Sequence, residues 1–209
     1  MKILFLLPIL LLSLISTPCL SETKNDLVDR DGIYYKKSTD TPFTGAVTGK
    51  EQGSYKNGVI EGEWIWYNDN GQLREKRSYK NGEREGKSFM YHDNGKLSRK
   101  GSYKNGKEEG EWVNYYSNGQ LSRKGSYKNG VMEGEWIRYH SKGQLWSKES
   151  YKNGKEEGEW IRYLENGKLS RKGSYKNGKQ EGQFVSYHDN GTFNNQETGT
   201  YKNGLRVSD

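Results

Sequence analysis

Residues 101–121 read Gly-Ser-Tyr-Lys-Asn-Gly-Lys-Glu-Glu-Gly-Glu-Trp-Val-Asn-Tyr-Tyr-Ser-Asn-Gly-Gln-Leu, and most of the chain repeats this stretch. The tetrapeptide Tyr-Lys-Asn-Gly begins at Tyr55, Tyr79, Tyr103, Tyr127, Tyr151, Tyr175 and Tyr201. Its first six copies follow one another at a constant 24-residue spacing, and a tyrosine occupies every twelfth position from Tyr55 to Tyr187. A fixed period of this kind indicates a repeat protein, here with two halves in each unit.

Each half-unit has a turn signal shortly after its tyrosine. One series is the Asn-Gly of the tetrapeptide, and the other comprises Asn70-Gly71, Asn94-Gly95, Asn118-Gly119, Asn166-Gly167 and Asn190-Gly191, with Lys142-Gly143 as the exception. Asn-Gly favours a tight type I′ turn, because both residues tolerate positive φ. A half-unit is long enough for one strand and its turn. We therefore predict an all-β fold, an elongated antiparallel meander of stacked β-hairpin repeats with about twelve strands or slightly more.

The repeat divides the chain into four predicted parts. Residues 1–21 form a signal peptide, and residues 22–52 form an amino-terminal lead-in or cap. Six tandem 24-residue repeats occupy 53–198, and residues 199–209 form a carboxy-terminal partial repeat or cap.

Residues 1–21 have the organisation of a secretory signal peptide, with a charged start, the apolar run 3–15 and a small-residue end. Pro8 interrupts the run, which is shorter than the roughly 20 residues of a spanning helix. This favours cleavage over a retained membrane anchor. We predict cleavage before Glu22 and export to the periplasm, cell envelope or medium, with lipid attachment at Cys19 as the alternative.

Composition limits the possible architectures. Only 30% of residues are hydrophobic, but 13% are aromatic, which suits a thin repetitive structure better than a layered globular core or a disordered chain. The only cysteine falls in the predicted signal, so the mature chain has no disulfide framework. Its formal charge of +6, one less than the +7 of the whole chain, is spread along the sequence and permits anionic partners without requiring them.

Alternation along the strands predicts two unlike faces. In Glu111-Trp112-Val113-Asn114-Tyr115 and its copies, the β-branched residue and the tyrosine share one face, and the tryptophan lies on the other. Partner strands carry a leucine six positions before most tetrapeptide tyrosines, which assigns leucine and tyrosine to one face as well. We thus expect an Ile/Val/Leu/Tyr stripe on one face and a polar face studded with tryptophan.

The residues do not favour catalysis or metal binding. His92, His140 and His188 recur at every second repeat, about four strands apart, so neighbours lie on the order of 19 Å from each other and are interpreted as loop residues. Acidic pairs, interpreted as solvated edge charges, recur at Glu61/Glu63, Glu109/Glu111, Glu133/Glu135 and Glu157/Glu159. Near-identical copies offer no unique site with unlike carboxylates, and no phosphate-binding loop is present. We predict a non-enzyme without cofactor, metal or small-molecule substrate.

The pattern Gly-Ser-Tyr-Lys-Asn-Gly-x-x-Glu-Gly-Glu-Trp-x-x-Tyr-x-x-Asn-Gly-Gln-Leu resembles the MORN repeat variant of bacterial proteins often labelled YwqK family antitoxin. The likeness covers about residues 53–204, and the lead-in 31–45 looks like the start of such proteins. The resemblance implies an elongated sheet of hairpins and protein or membrane association without catalysis. A protein that neutralises a cytoplasmic toxin should not carry a signal peptide, which favours the implied fold over the antitoxin role.

Three functions follow as hypotheses. The first is an exported scaffold that binds a protein partner along a long regular face. The second is a binder of envelope glycans or polymers, through an exposed row of partner-binding tryptophans at Trp64, Trp112, Trp136 and Trp160. A competing interpretation has each tryptophan cover the glycine two positions earlier, Gly62, Gly110, Gly134 or Gly158. The third is binding to an anionic membrane surface, and export disfavours nucleic acid.

Overall fold

A computed structural model describes residues 21–208, which form strands joined by short connections. The amino-terminal part has a short 3-10 helix, Lys24–Asp26, and the strands β1 (Glu22–Thr23), β2 (Leu27–Arg30), β3 (Ile33–Lys36) and β4 (Gly45–Thr48). The regular array comprises β5 (Glu51–Lys56), β6 (Val59–Tyr67), β7 (Leu73–Lys80), β8 (Glu83–Tyr91), β9 (Leu97–Lys104), β10 (Lys107–Tyr115), β11 (Leu121–Lys128), β12 (Val131–Tyr139), β13 (Leu145–Lys152), β14 (Lys155–Tyr163) and β15 (Leu169–Lys176). The carboxy-terminal part has β16 (Lys179–Gln180), β17 (Gly182–Ser186), β18 (Gly199–Lys202) and β19 (Leu205–Ser208). All of the predicted signal peptide except its last residue lies outside the described part.

Seventeen of the strands form one sheet, which confirms the predicted meander. Each strand from β4 to β15 pairs antiparallel with the next. Strands β16 and β17 both pair with β15, and β18 and β19 complete that end. At the other end, β1 adds parallel to β4, and β2 and β3 form a separate hairpin. The last predicted repeat is less regular, because Phe193 makes only an isolated bridge to Tyr187.

The two Asn-Gly series form different turns. In the tetrapeptide series all seven asparagines have φ between 50° and 54° and each following glycine is also positive, as type I′ requires. In the second series only the glycine is positive, so the type I′ prediction is wrong there. Gly95 N donates to His92 O and His92 N donates to Lys96 O, which closes a three-residue loop with left-handed glycine.

The second loop explains the exception at Lys142. Asn94 and most of its counterparts accept a hydrogen bond through Oδ1 from the amide two residues later, as in Asn94 Oδ1 with Lys96 N at 3.1 Å. Because this position does not have positive φ, a lysine fits the backbone and loses only hydrogen bonds of the asparagine side chain.

Hydrogen bonds link each tetrapeptide turn to the preceding repeat. Gly106 N donates to Arg84 O at 3.0 Å, and Asn105 N donates to Glu85 Oε2 at 2.7 Å. In every repeat a glutamate carboxylate accepts this bond from the amide of the tetrapeptide asparagine; the acceptors are Glu61, Glu85, Glu109, Glu133, Glu157 and Glu181. The first member of each predicted acidic pair is therefore a structural acceptor and not a solvated charge, whereas its second member is exposed, as expected.

A second ladder runs along the opposite edge. His92 Nε2 donates to Tyr115 O at 2.9 Å and Tyr116 Oη donates to Tyr139 O at 2.8 Å, each to the next repeat. His140 Nε2 reaches Tyr163 O at 3.3 Å in the same way. The two histidines lie in turns, as predicted, and their ring nitrogens hold neighbouring repeats together.

The lead-in covers the first turn of the array. Gly58 N donates to Phe43 O at 2.7 Å, Tyr34 N donates to Gly58 O at 2.9 Å and Asn57 N donates to Thr44 Oγ1 at 2.8 Å. These bonds replace those that an earlier repeat would make. Leu27, Val47, Tyr55 and Trp64 form the buried cluster beneath this cover.

The predicted assignment of tyrosine to the faces is wrong for the tetrapeptide series. Trp112 is opposite Gly125 and Gly110 is opposite Tyr127, so the register puts that tyrosine on the face with tryptophan. Ring centroids of Trp112 and Tyr127 are 6.2 Å apart. We call this side the tryptophan face. Its opposite, the lysine face, has apolar residues alternating across strands with lysines.

Candidate binding surfaces

The four tryptophans of the predicted exposed row are buried. Their exposed fractions are 1% for Trp64, 1% for Trp112, 0% for Trp136 and 5% for Trp160. The expectation of an exposed aromatic row is therefore wrong. These rings pack within the sheet and are not offered to a partner.

Each ring in a regular unit covers a glycine, but not the predicted one. A β-carbon built on Gly101 would overlap the indole of Trp112, far inside the 3.0 Å that real contacts respect. Gly53 relates to Trp64, Gly125 to Trp136 and Gly173 to Phe184 in the same way. A β-carbon built on Gly110 would have no neighbour within 4 Å, but this glycine has φ of 72°, so it serves the backbone bend beside the tryptophan.

Tyrosine and a cationic side chain complete the cover of each indole, with arginine at Trp112, Trp136 and Trp160 and Lys24 at Trp64. Trp136 has Tyr127 edge-on at 5.0 Å, and its Nε1 donates to Ser126 O at 3.2 Å. Guanidinium carbons lie over the rings at 4.0 Å for Arg99 on Trp112 and 4.7 Å for Arg123 on Trp136. Cation–π contact and packing of the arginine stem together shield the rings from water on a single-layered sheet.

One unit replaces both the covered glycine and the ring. Where most units have glycine and an aromatic ring, β7 has Arg77 and β8 has a buried Ser88. These two residues are direct cross-strand partners. The larger residue at 77 thus occurs with the smaller one at 88, while Trp66 packs 5.6 Å from the Arg77 guanidinium.

Strand β13 departs from the repeat in a second way. It reads Leu145-Trp146-Ser147-Lys148-Glu149, where β9, β11 and β15 read Leu-Ser-Arg-Lys-Gly. Glu149 is 4% exposed and occupies the position of the covered glycine. Its carboxylate accepts from Ser147 Oγ at 2.9 Å and from Tyr151 Oη at 2.8 Å, and it pairs with Arg138 at 3.1 Å.

This buried carboxylate affects two titratable neighbours. Burial, reinforced by the hydrogen bond to Glu149, raises the pKa of Tyr151 to about 12. Burial and the charge of Glu149 also raise the pKa of Glu156 above its ordinary value. Arg138 provides the compensating charge, as a buried carboxylate requires.

The half-exposed Trp146 lies beside two arginines and a histidine. The register between β12 and β13 skips Trp146, which is the extra residue of a bulge. The Arg138 and Arg162 guanidiniums lie 5.8 and 5.6 Å from its ring, and the His140 ring is 5.9 Å away. The bulge thus places this ring beside the arginines of the tryptophan face.

Two adjoining cavities open beside this ring. Trp146, His140 and Arg162, together with Tyr163, Ser170 and Asp189, line an open cavity of about 420 Å³. A second cavity of about 810 Å³ shares Arg162, Ser170 and Asp189. We call the two together the Trp146 groove.

The lysine face presents one continuous row. Each apolar member is the direct cross-strand partner of a lysine, in the order Ile65, Lys76, Phe89, Lys100, Val113, Lys124, Ile137, Lys148, Ile161, Lys172 and Val185. Ion pairs occur at its ends, Lys76 with Glu63 at 2.8 Å and Lys172 with Glu159 at 2.7 Å. Within residues 21–208, no carboxylate pairs with the three central lysines, Lys100, Lys124 and Lys148.

The sequence interpretation missed Trp146, Glu149 and Arg162. The signal was present, because aligning the 24-residue units shows the break at residues 146–149 directly. In residues 21–208 no group of three or more histidine, cysteine or acidic residues is arranged for a metal. No helix in that part of the chain is long and apolar enough to span a bilayer.

Comparison with known proteins agrees with the repeat. A model of the MORN repeat variant matches residues 60–81, 84–105, 108–129, 132–153 and 156–177. No curated protein matches the chain. A solved structure, the crystal structure of a GtfA/B complex bound to UDP and GlcNAc, matches at 16% identity over 70% of this chain and 28% of that chain, with a TM-score of 0.21, which supports no functional argument. The family matches cover more than half of the 209 residues, and the chain belongs to the MORN repeat variant family.

Proposed function

We propose that this MORN repeat protein is a non-catalytic, exported scaffold that binds a partner protein on its lysine face. The partner would carry acidic side chains interspersed with apolar ones. The alternation of largely half-exposed apolar residues with lysines, unbroken from Ile65 to Val185, is the observation that carries the proposal.

The dimensions of this row suit a protein partner. Eleven strands spaced roughly 4.8 Å apart give a row on the order of 48 Å long. A row of this length is large enough to supply the roughly 800 Å² that each partner buries in a standard protein interface. Half-exposed side chains such as Ile137 and Ile161 supply apolar contact area, and neighbouring lysines supply hydrogen-bond donors and charge. The combination favours a mixed apolar and acidic surface over a purely polar ligand.

Two other hypotheses have less support. Tryptophan-mediated glycan binding at Trp64, Trp112, Trp136 and Trp160 requires exposed rings, and these are buried. An anionic membrane is negatively charged over its whole surface and would be repelled by the exposed glutamates beside the lysines, for example Glu111 and Glu135, whereas a protein can place its carboxylates opposite the lysines alone. The comparisons do not support the antitoxin label that the resemblance implies, and toxin neutralisation is no part of this proposal.

Charge reversal on the lysine face tests the proposal. The variant Lys100→Glu/Lys124→Glu/Lys148→Glu is immobilised beside the unaltered protein and incubated with envelope extract from the host. Proteins retained by the unaltered chain are quantified on both supports by mass spectrometry. We expect a specific protein to be lost from the variant, since repulsion replaces attraction at three adjacent contacts.

The matched control is Lys104→Glu/Lys128→Glu/Lys152→Glu. It makes the same charge change at exposed strand ends next to the tetrapeptide turns. This control should retain the partner. Because alternation puts these control lysines at the edge of the same face, equal retention or equal loss on the two variants would show that the central row of Lys100, Lys124 and Lys148 does not determine binding.

Export is tested separately from binding. Intact-mass analysis of the protein from its own host should show a chain that starts at Glu22 or within a few residues of it. An acylated Cys19 would indicate membrane attachment. A chain that retains Met1 would contradict export.

A further inference from the structure

We propose that the Trp146 groove is a second ligand site, specific for an acidic oligosaccharide. In this proposal the carboxylate of a uronic-acid unit binds Arg162, and a sugar ring packs against Trp146. The site lies on the tryptophan face, away from the lysine face, so the two proposals can fail independently.

Arg162 is a positioned cation without a counter-ion. Its guanidinium carbon lies 4.6 Å from the Trp160 ring and 5.6 Å from the Trp146 ring, which holds its planar group against aromatic surfaces. Within the described residues no carboxylate forms an ion pair with it, and its buried Nε makes no hydrogen bond. By contrast, Arg138 pairs with Glu149 and Arg99 pairs with Glu108. A planar guanidinium held in place suits two-point binding of a carboxylate.

The groove brings a second arginine beside this cation. Arg171 is the direct cross-strand partner of Arg162, and its nearest carboxylate, on Glu197, is at 3.9 Å. Arg171 and Glu197 line the larger of the two cavities. The volumes of about 420 and 810 Å³ are in the range of small-molecule sites, and the two cavities share Arg162, Ser170 and Asp189, so one ligand of several units could contact both.

The remaining lining indicates the chemical class. Acidic Asp189 is shared by both cavities, and Glu165 and Glu197 line one each, so the groove has three carboxylates beside its two guanidiniums, Arg162 and Arg171. These carboxylates would repel a polyanion or a phosphate with two negative charges. A ligand with one isolated carboxylate and many hydroxyl groups would not be repelled, because its hydroxyls donate to carboxylates and accept from the Ser170 hydroxyl and the Asn166 amide.

Trp146 completes the match to a sugar. It replaces the serine that β9, β11 and β15 have at this position, and it is half-exposed at the cavity wall. Sugar rings present C–H faces that pack well against an indole. Strand β13 therefore places an aromatic side chain beside Arg162, at a position where three other strands have serine.

Calorimetric titration with an aldotriuronic acid, a trisaccharide of two neutral sugars and one uronic-acid unit, tests the site, with its methyl ester as the matched neutral ligand. The acid should bind saturably to the full chain, and the ester should bind at least about tenfold more weakly, since it cannot form charge-assisted hydrogen bonds with Arg162. Equal binding of acid and ester, or no binding of the acid, would overturn the proposal. Inorganic phosphate that competes as well as the trimer would show a simple anion site and also overturn it.

Three variants localise the binding. Arg162→Gln and Trp146→Ser should each weaken binding of the aldotriuronic acid at least about tenfold. Arg123→Gln is the control, because Arg123 also covers an indole without a carboxylate partner but lies outside the groove. Should Arg162→Gln not fold, Trp146→Ser decides, since three other strands carry that serine. Equal loss in Arg123→Gln, or unchanged affinity in Trp146→Ser, would place binding elsewhere.

Discussion

The indole of Trp112 lies so close to Gly101, on the preceding strand, that no β-carbon can be accommodated there. The same sequence spacing joins Gly53 to Trp64 and Gly125 to Trp136. This contact lets a single-layered sheet bury a large ring without a second layer. The glycine leaves the space, and the tryptophan fills it.

Gly101→Ala should therefore destabilise the array, by about 1–3 kcal/mol, the usual cost of overpacking a closely packed site. Urea denaturation followed by circular dichroism gives the free energy of unfolding. Ser102→Ala, at the next position with its side chain on the lysine face, is the control and should stay within about 0.5 kcal/mol. Equal effects of the two changes would contradict the proposed packing.

Arg77 and Ser88 suggest a compensating pair. Gly101→Arg alone should be strongly destabilising, and adding Trp112→Ser should recover part of the loss, because the double change copies a combination that this chain already contains. A double-mutant cycle should show a coupling of roughly 0.5–3 kcal/mol. Additive effects would show that the two positions do not share one space.

The meander could be predicted from sequence, because its determinants are local. Asn-Gly at a fixed period defines turns and strand lengths without knowledge of tertiary contacts. The side that tryptophan shares with Tyr127 could not be predicted by counting in twos along one strand, because it depends on the register with the next strand, where Gly110 is opposite Tyr127 and the pairing shifts between Asn114 and Tyr115. The sequence did contain a signal for the glycine that each tryptophan covers. Arg77 replaces the glycine in the same unit in which Ser88, 11 residues later, replaces the tryptophan. The role of Arg162 could be found only from the structure, because the ion pairing of its neighbours is a matter of tertiary contacts: Glu149 pairs with Arg138, and Glu197 lies near Arg171.

The two turn types predict different tolerance of asparagine replacement. Asn105 has φ of 50°, and the left-handed region costs an ordinary side chain roughly 1–2 kcal/mol per residue. Asn105→Ala should therefore lower the free energy of unfolding by about 1 kcal/mol. Asn166→Ala should cost less, because that position lacks positive φ and loses only an exposed bond to Lys168 N. Urea midpoints compare the two, and a larger loss at Asn166 would contradict this assignment.

Tyr151 predicts a dependence of stability on alkaline pH. The pKa of this phenol is raised from 10.0 to about 12 in the folded protein, so the folded state holds its proton more tightly than the unfolded state. The resulting stabilisation is complete below pH 10 and is lost as the pH rises to 12. Tyr151→Phe should thus be less stable than the unaltered protein at pH 8, by a margin that shrinks between pH 10 and 12. A margin that is constant over this range in urea denaturation would contradict the raised pKa of Tyr151.

Deletion of whole and half units tests the relation between the two periods. Removing one whole unit, Tyr103 through Ser126, joins Ser102 to Tyr127 and leaves every strand beside an equivalent of its former neighbour. This variant should fold, with both edge ladders intact. Removing only a half-unit, Tyr103 through Asn114, joins Ser102 to Tyr115 and places the end of a tryptophan strand where a tetrapeptide turn belongs.

The half-unit deletion should be less stable by several kcal/mol or should aggregate, because a register fault disrupts each cross-strand pair that it touches. It also removes Trp112, whose ring covers Gly101. Thermal melting with size-exclusion chromatography distinguishes the variants, and equal stability would refute the two-strand repeat. Successive whole-unit deletions should also weaken partner binding in steps if the lysine face is contacted along its length, whereas one local site would be lost all at once.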